Sequence, residues 1–330
     1  MRKYNVAIVG ATGLVGNTFI KVLEEYKFPV KSMKLLASAK SAGKQLKFND
    51  ELITVEELME SSFDGIDIAF FSAGGEVARI YGPIAASKGV RVIDNSSAFR
   101  ADENIGLVIP EVNFDDYKLN NIIANPNCST IQVVIPLKAI QDAYGIKRIV
   151  YSTYQAVSGS GQKGINDLSN SLEGKPCVFY PHDISKTCIP EIDSFLESGY
   201  TKEEMKMVNE TKKILHNNDA KISATCIRVP VSNGHGVSVM LETNKQFDIE
   251  HVKKVLSNYE NVIVVDDGVN HKYPTSVLAE NTDYVYVGRI RRDLSCDNGL
   301  LFYCVADNVR RGAASNAVLT ALKLVEKDVL

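Results

Sequence analysis

The sequence has almost no net charge. Thirty-seven Lys and Arg stand against 40 Asp and Glu in 330 residues, a formal charge of −3. A chain that holds polyanions carries a large basic excess, so nucleic-acid binding is not expected. No run of about 20 uncharged apolar residues occurs, which argues against a membrane span. The apolar stretch Val6–Val9 is too short for a secretion signal and runs straight into glycine, so a cytoplasmic protein is expected. The six cysteines, Cys128, Cys177, Cys188, Cys226, Cys296 and Cys304, contain no Cys-x-x-Cys pair. Their spacing suits neither a zinc site nor a disulfide framework, and no metal is expected. Internal repeats and low-complexity linkers are also missing. What remains is 45% hydrophobic and 23% charged, an ordinary globular mix. A chain of this length buries roughly three-quarters of its unfolded surface and usually forms two domains.

The first third alternates strands and helices. Strands are expected at Asn5–Val9, Lys34–Ala37, Ile66–Ser72, Val90–Asp94 and Asn121–Ala124, with a helix over Leu14–Tyr26. That rhythm predicts an α/β domain with a Rossmann-like, doubly wound parallel sheet. The rest has longer runs rich in β-branched and aromatic residues: Ile149–Ala156, Ala224–Val231, Val237–Thr243, Asn261–Asp266, Tyr284–Arg291 and Leu300–Val305. They predict a second, α+β domain with a largely antiparallel sheet. Thr201-Lys202-Glu203-Glu204 is a capping box that starts a helix running to about His216. A final helix is expected from Asn308 to Lys327.

Gly10-Ala11-Thr12-Gly13-Leu14-Val15-Gly16 follows a strand and opens a helix. Glycines there let the chain turn tightly, let backbone N–H groups approach a phosphate, and aim the helix N-terminus at negative charge. The spacing is G-x-x-G-x-x-G, and a strand–helix turn without a ligand is the alternative reading. The second strand adds context. An NAD site usually carries an acidic residue there to bind the ribose hydroxyls. From Tyr26 to Asn49 there is no Asp or Glu, but there are six lysines, with Ser38 and Ser41 flanking Lys40. Ser38, Lys40 and Ser41 suit a 2′-phosphate, so NADP is expected over NAD. Lys27, Lys31 and Lys47 read as a solvated face.

Asn125-Pro126-Asn127-Cys128-Ser129-Thr130 lies between the fifth strand and an apolar helical pattern over Ile131–Ala143. A cysteine at a helix N-terminus feels partial positive charge, which favours thiolate. The Asn127 side chain carries an N–H it can donate. The other five cysteines read as inert packing. His235 sits between two glycines directly before a strand, with Arg228 seven residues earlier. Guanidinium and imidazole beside a thiol give carboxylate binding plus proton transfer. Together with a nicotinamide site, they point to covalent aldehyde chemistry.

With these residues in place, the chain closely resembles the bacterial aspartate-β-semialdehyde dehydrogenase family from end to end. The motifs GATGLVG, SSAFR at Ser96–Arg100, NPNCST at Asn125–Thr130, QAVSGSG at Gln155–Gly161, IRVPVSNGHG at Ile227–Gly236 and DNVRRGAA at Asp307–Ala314 occur in the family's order. The resemblance implies that Cys128 is the acyl-thioester nucleophile and His235 the general acid/base. Gln155 and Arg228 would orient the substrate, Arg228 on its α-carboxylate, with Asn127 also at the substrate. Glu210 would hold the substrate amino group. Arg100 and Lys213 would bind phosphate. Glu210 and Lys213 stand three apart on the helix after Thr201, a spacing that places both away from the Met205/Val208/Leu215 stripe and equally fits a surface ion pair. For the cofactor, Gly10, Gly13 and the backbone from Thr12 through Leu14 to Val15 would hold the diphosphate. Ala73, Gly74, Ser158, Gly159 and Asn308 would complete the contacts. Lys40 stands where many relatives carry Arg.

The resemblance also implies a division into residues 1–127 plus 308–330 for NADP and 128–307 for catalysis and dimerisation, and a homodimer. The implied reaction is the reversible, NADP-dependent reductive dephosphorylation of 4-phospho-L-aspartate to L-aspartate-4-semialdehyde. It serves lysine (diaminopimelate), methionine, threonine and isoleucine biosynthesis. Two readings compete. N-acetyl-γ-glutamyl-phosphate reductase uses the same fold and a Cys/His pair, but its acylated substrate nitrogen needs no carboxylate such as Glu210. A catalytically silent nucleotide-binding relative would keep the glycine turn without needing Cys128, Gln155, Arg228 and His235 together. Glyceraldehyde-3-phosphate dehydrogenase fits less well, because its cysteine motif differs.

Overall fold

Tyr4–Val9 is an apolar run that can only be satisfied between two other strands, and as β1 it is buried along nearly its whole length. The computed structural model, which describes residues 2–330, places it beside β2 (Val30–Ala37) on one side and β5 (Ile68–Phe71) on the other, both parallel. With β3 (Gln45–Phe48), β4 (Glu51–Glu57), β6 (Arg91–Asp94), β7 (Gly106–Leu107) and β8 (Ile122–Ala124), these form an eight-stranded sheet of order β3-β4-β2-β1-β5-β6-β8-β7. Only the β3–β4 pair is antiparallel. Helices α1 (Leu14–Glu25) and α2 (Gly75–Ser87) follow β1 and β5. The strand order reverses at β1, the place where such sheets open a crevice for ligands. The loops after β1, β2, β5, β6 and β8 therefore share one end of the sheet.

Two differences from the sequence expectation stand out here. The β3–β4 hairpin was not foreseen, because its strands are short, charged and largely exposed. Its turn residues, Asn49 and Asp50, both adopt positive φ, the type I′ geometry that matches strand twist. The final helix begins later than expected. Asp307 Oδ1 accepts the N–H groups of Val309 and Arg310, and a wide π-type turn runs over Arg310–Ala314 before α8 (Ser315–Glu326). Ala317, Val318, Ala321 and Leu324 of that helix join Phe19 and Leu23 of α1 and Val6, Ile8 and Phe70 of the sheet in one apolar core.

The chain forms two units. One comprises residues up to Pro126 together with Ala313–Leu330, the other Asn127–Gly312. The second unit is built on a six-stranded sheet of order β10-β9-β11-β14-β13-β12. Its strands are β9 (Ile146–Gln155), β10 (Lys221–Arg228), β11 (His235–Thr243), β12 (Val262–Val264), β13 (Val285–Arg292) and β14 (Gly299–Ala306). The β9–β11, β11–β14 and β13–β14 pairs are antiparallel, whereas β10 and β12 join in parallel. Helix α3 (Cys128–Tyr144) is buried along most of its length. It packs against this sheet, against α5 (Lys202–Leu215) and against α6 (Ile249–Ser257). Helix α4 (Gln162–Leu172) follows β9, and a single turn, α7 (Ser276–Ala279), precedes β13. Thr201 and Glu204 form the expected capping box of α5. Among the described residues no helix is long and apolar enough to cross a membrane.

The glycine turn after β1 depends on close backbone approach. Gly10 has φ +85°, and a Cβ on Gly16 would lie 2.2 Å from the Gly10 carbonyl oxygen. Gly16→Ala is therefore expected to destabilise the first unit by about 1–3 kcal/mol, the usual cost of forcing atoms into a packed site. The drop would be read from the midpoint of thermal unfolding; an unchanged midpoint would show that the turn has slack.

Candidate active site

In the first unit, the expected dinucleotide residues sit at the shared end of the parallel strands. Gly10 to Gly13 form the turn, Gly13 caps α1 without a side-chain hydrogen bond, and Leu14 and Val15 begin the helix. The first N–H groups of α1 are thus left to an anion. Ser38, Lys40 and Ser41 form the turn after β2; Ser38 and Lys40 are exposed. Thr12 Oγ1 donates to Ser41 Oγ (3.4 Å), joining that turn to the glycine loop. Strand β2 carries no acid; Glu56 and Glu57 stand on neighbouring β4, beside Leu36 and Ala37. Ala73 and Gly74 follow β5, and Gly74 adopts φ +90° as it caps α2. A loop in which Gly10 and Gly16 have no room for a Cβ, at a helix end with no side-chain cap, fits a dinucleotide diphosphate. Arg100, after β6, is half-buried and oriented by carbonyls: Nε donates to Asn125 O (2.9 Å) and Nη2 to Asn95 O (2.8 Å).

The second unit carries the thiol. Cys128 is the first residue of α3 and is half-exposed. Its predecessor Asn127 is the N-cap, with Oδ1 accepting the N–H groups of Ser129 (2.9 Å) and Thr130 (3.3 Å). The cap is itself gripped by α5. The Asn127 backbone N–H donates to Glu210 Oε2 (2.7 Å), and its Nδ2 donates to Glu203 Oε1 (2.9 Å). The Asn127 side chain, expected as a donor towards substrate, spends an N–H on Glu203. The placement of Glu210 away from the apolar stripe is corrected: it is only 4% exposed. Met207, not Met205, belongs to the buried stripe. Spacing alone misplaced this face because α5 packs on both α3 and β10, which buries more of its circumference than one stripe. Lys213, on the same helix, is half-buried.

One peptide unit orients the two other expected groups. The Ala156 N–H donates to His235 Nδ1 (3.0 Å), and the Ala156 carbonyl accepts from Arg228 Nη1 (2.6 Å). With Nδ1 accepting, the neutral imidazole carries its proton on Nε2. That Nε2 is buried without a protein partner, as is Arg228 Nε. Both residues face a bare glycine: a Cβ on Gly159 would lie 2.8 Å from Arg228 Nη1 and 3.0 Å from His235 Nε2. Burial, and then the neighbouring Arg228 charge, push the His235 pKa well below 6.5. Gln132, one turn along α3 from Cys128, donates to the His235 carbonyl (3.0 Å), so β11 is tied to the start of the thiol's helix. Gly312 packs there too, with room for no Cβ beside Cys128.

Gln155 ends β9 in register with Arg228 on β10. Ser158 and Asn308 bond each other, and Asn308 Oδ1 also accepts the Gly234 N–H (2.9 Å). The Asn308 carboxamide thereby holds three loops of this unit together. The remaining cysteines are not uniformly buried, as the sequence suggested. Cys226 and Cys304 lie in the core, where burial pushes each thiol up to about 12, while Cys188 and Cys296 are exposed surface residues and Cys177 is half-exposed. Sequence reasoning passed over Glu203, although its position seven residues before Glu210 puts both on one helix face. Ala156 and Gly312 lie within the QAVSGSG and DNVRRGAA motifs, but the sequence reading gave neither a role.

Residues 5–120 match the family model described as semialdehyde dehydrogenase, NAD binding domain, and residues 137–311 the model described as semialdehyde dehydrogenase, dimerisation domain. The chain is 52% identical over 338 residues to the aspartate-semialdehyde dehydrogenase of Aquifex aeolicus, covering 99% of each. Its fold matches the crystal structure of aspartate semialdehyde dehydrogenase II from Vibrio cholerae complexed with ASA, with a TM-score of 0.95, 46% identity and 99% of each chain covered. It also matches the enzyme from Candida albicans with NADP, with a TM-score of 0.81, 26% identity and 100% of each chain covered.

A pH signature follows from the His235 environment. Below pH 6.5 the unfolded chain protonates this imidazole, and the folded protein refuses the proton. The contribution of His235 to stability is therefore complete above pH 6.5 and drains away on acidification, by up to about 1.4 kcal/mol per pH unit. Urea unfolding between about pH 5 and pH 7.5 should show the wild type losing stability faster than His235→Gln. Parallel curves would mean that the folded imidazole titrates normally.

Proposed function

The chain belongs to the aspartate-semialdehyde dehydrogenase family, and from that premise we propose that it interconverts 4-phospho-L-aspartate and L-aspartate-4-semialdehyde with NADP, through a thioester on Cys128. The observation that carries the reading is the setting of Cys128. It opens a helix whose cap is pinned by two buried carboxylates, in the unit where one peptide aims a guanidinium and an imidazole at a bare glycine.

In the biosynthetic direction the Cys128 thiolate attacks the acyl carbon. A C–S bond forms, the acyl–phosphate C–O bond breaks, and phosphate leaves with its electron pair. The helix N-terminus favours the thiolate, and the Cys128 backbone N–H is assigned the acyl oxyanion. The nicotinamide cofactor, when bound, supplies the hydride that converts the thioester to a thiohemiacetal. Collapse of that adduct breaks the C–S bond and returns the thiolate for another turnover. His235 starts with its proton on Nε2: it shares that proton with the developing oxygen as hydride adds and recovers it as the adduct collapses, so the sulfur departs as thiolate and the imidazole ends as it began; the reverse direction uses the same shuttle.

Arg228 holds the α-carboxylate through N–H groups not spent on Ala156, and Glu210 and Gln155 take the ammonium end. Asn127 serves the substrate by fixing the segment that bears the nucleophile. Arg100 and Lys213 are assigned the phosphate. Gly10, Thr12, Gly13, Leu14, Val15, Ala73 and Gly74 are assigned the cofactor diphosphate, Ser38, Lys40 and Ser41 the 2′-phosphate, and Ser158 and Gly159 the nicotinamide. Asn308 supports Ser158. The protein acts as a homodimer in the cytoplasm.

The test is oxidation of L-aspartate-4-semialdehyde in the presence of phosphate, followed by absorbance of the reduced nucleotide. Activity should require phosphate and should favour NADP over NAD by about tenfold or more, the worth of a charge-assisted contact. N-acetyl-γ-glutamate semialdehyde should be inert; turnover of that compound instead would move the protein to the rival reductase. Cys128→Ala should abolish turnover while nucleotide binding, measured by fluorescence or calorimetry, persists. Residual dehydrogenase activity in that variant would remove the covalent route.

A further inference from the structure

In the mechanism above Glu203 serves only to hold the α3 cap, and its contacts reach further. Glu203 is 5% exposed and lies on the first turn of α5. Burial alone would raise its pKa, but the Lys206 charge and hydrogen bonds from Asn127, Lys206 and Gln155 outweigh that and hold the carboxyl below its usual value. It is therefore an anion, and an anion only accepts. Its Oε1 takes Asn127 Nδ2 at 2.9 Å and Gln155 Nε2 at 3.2 Å. Its Oε2 takes Lys206 Nζ at 3.1 Å, and Lys206 is braced in turn by Asp193 Oδ2 at 2.9 Å.

A carboxamide has two faces, and which one it shows depends on its neighbours. Gln155 Nε2 also donates to Thr153 Oγ1 at 3.3 Å. Both amide hydrogens of Gln155 are thus committed, one to Thr153 and one to Glu203. From this geometry we infer that Glu203 is a positioning residue: by taking the amide N–H groups of Gln155 and Asn127, it fixes both side chains in one orientation and leaves Gln155 to meet substrate with its carbonyl oxygen. That oxygen is an acceptor, matched to an ammonium group and mismatched to a carboxylate. The same contact keeps Asn127 Oδ1 turned towards the N–H groups of Ser129 and Thr130, where it caps α3. Discrimination between an α-amino aldehyde and its deaminated counterpart is then set in part by a residue that touches neither. This inference rests on the proposed reaction and names how one end of its substrate is selected.

The experiment compares L-aspartate-4-semialdehyde with succinic semialdehyde, which lacks only the amino group. In Glu203→Gln, Gln155 is released to flip, while Asn127 stays placed by its backbone N–H on Glu210 and by its Oδ1 on the Ser129 and Thr130 N–H groups. KM for L-aspartate-4-semialdehyde should rise about 10- to 100-fold, the value of a hydrogen bond to a charged group, with kcat changed far less. Binding of succinic semialdehyde, measured by protection of Cys128 from alkylation, should be unchanged. A loss shared equally by the two aldehydes, or no change with either, overturns the assignment.

A second pair of variants guards against simple misfolding. Gln155→Glu sets two carboxylates against each other and should be severely impaired; adding Glu203→Gln gives the new carboxylate a donor and should restore at least tenfold of the lost kcat/KM. Failure of the double variant to recover also overturns the assignment. An inactive wild type would sink the reaction itself, and the role of Glu203 with it.

Discussion

The active centre depends on how one asparagine is held. Asn127 must cap α3 and bring Cys128 to the helix start, and it is fixed by its backbone to Glu210 and by its side chain to Glu203. Two carboxylates buried on one helix would be costly if left bare, because taking ions out of water costs several kcal/mol each. Here Glu210 takes the Asn127 backbone N–H, and Glu203 takes Asn127, Gln155 and the Lys206 cation. The repulsion between them is tolerated because the helix end they face is partly positive. Rigidity at the nucleophile is thus obtained by packing charge into the second unit, and α5 cannot shift without disturbing the thiol's turn.

The Ala156 peptide plays a parallel part on the other side of the chemistry. It is a fixed dipole between two strands of one sheet, with its N–H on the imidazole and its carbonyl on the guanidinium. No side-chain substitution at position 156 other than proline, which lacks the N–H, removes either contact. Backbone groups of this kind are preorganised by the ladder around them and cost no reorganisation when charge develops. The absence of a side chain at Gly159 completes the arrangement, since even one methyl group there would occupy the space both donors face.

Much of this was readable in the amino-acid order. The parallel strands announced themselves as short apolar runs, because strands buried on both faces have no polar side to show. The Gly10–Gly16 turn, Cys128 before an apolar helix and the spaced Arg228 and His235 are chemically distinctive residues in punctuated segments. Other features were hidden for physical reasons. Glu203 lay inside a capping box, a local signal that accounts for an acid there without any tertiary role. Spacing left Glu210 open between a substrate ligand and a surface ion pair, because helical periodicity cannot reveal that a second neighbour covers the polar face. The β3–β4 hairpin carries little hydrophobic signal, being held by its turn and by two buried side chains, Phe48 on β3 and Val55 on β4. The start of α8 was misjudged because Asp307 diverts the backbone into a wide turn that composition does not encode.

The interleaving of the two units has a consequence for biogenesis. Ala317, Val318, Ala321 and Leu324 complete the core of the first unit, yet they leave the ribosome only after the whole of 127–312 has been made. At about 5–20 residues per second, that is a wait on the order of ten to forty seconds. Throughout it Phe19 and Leu23 lack the helix that shields them, so the nascent first unit passes through a stage in which chaperone capture competes with premature association.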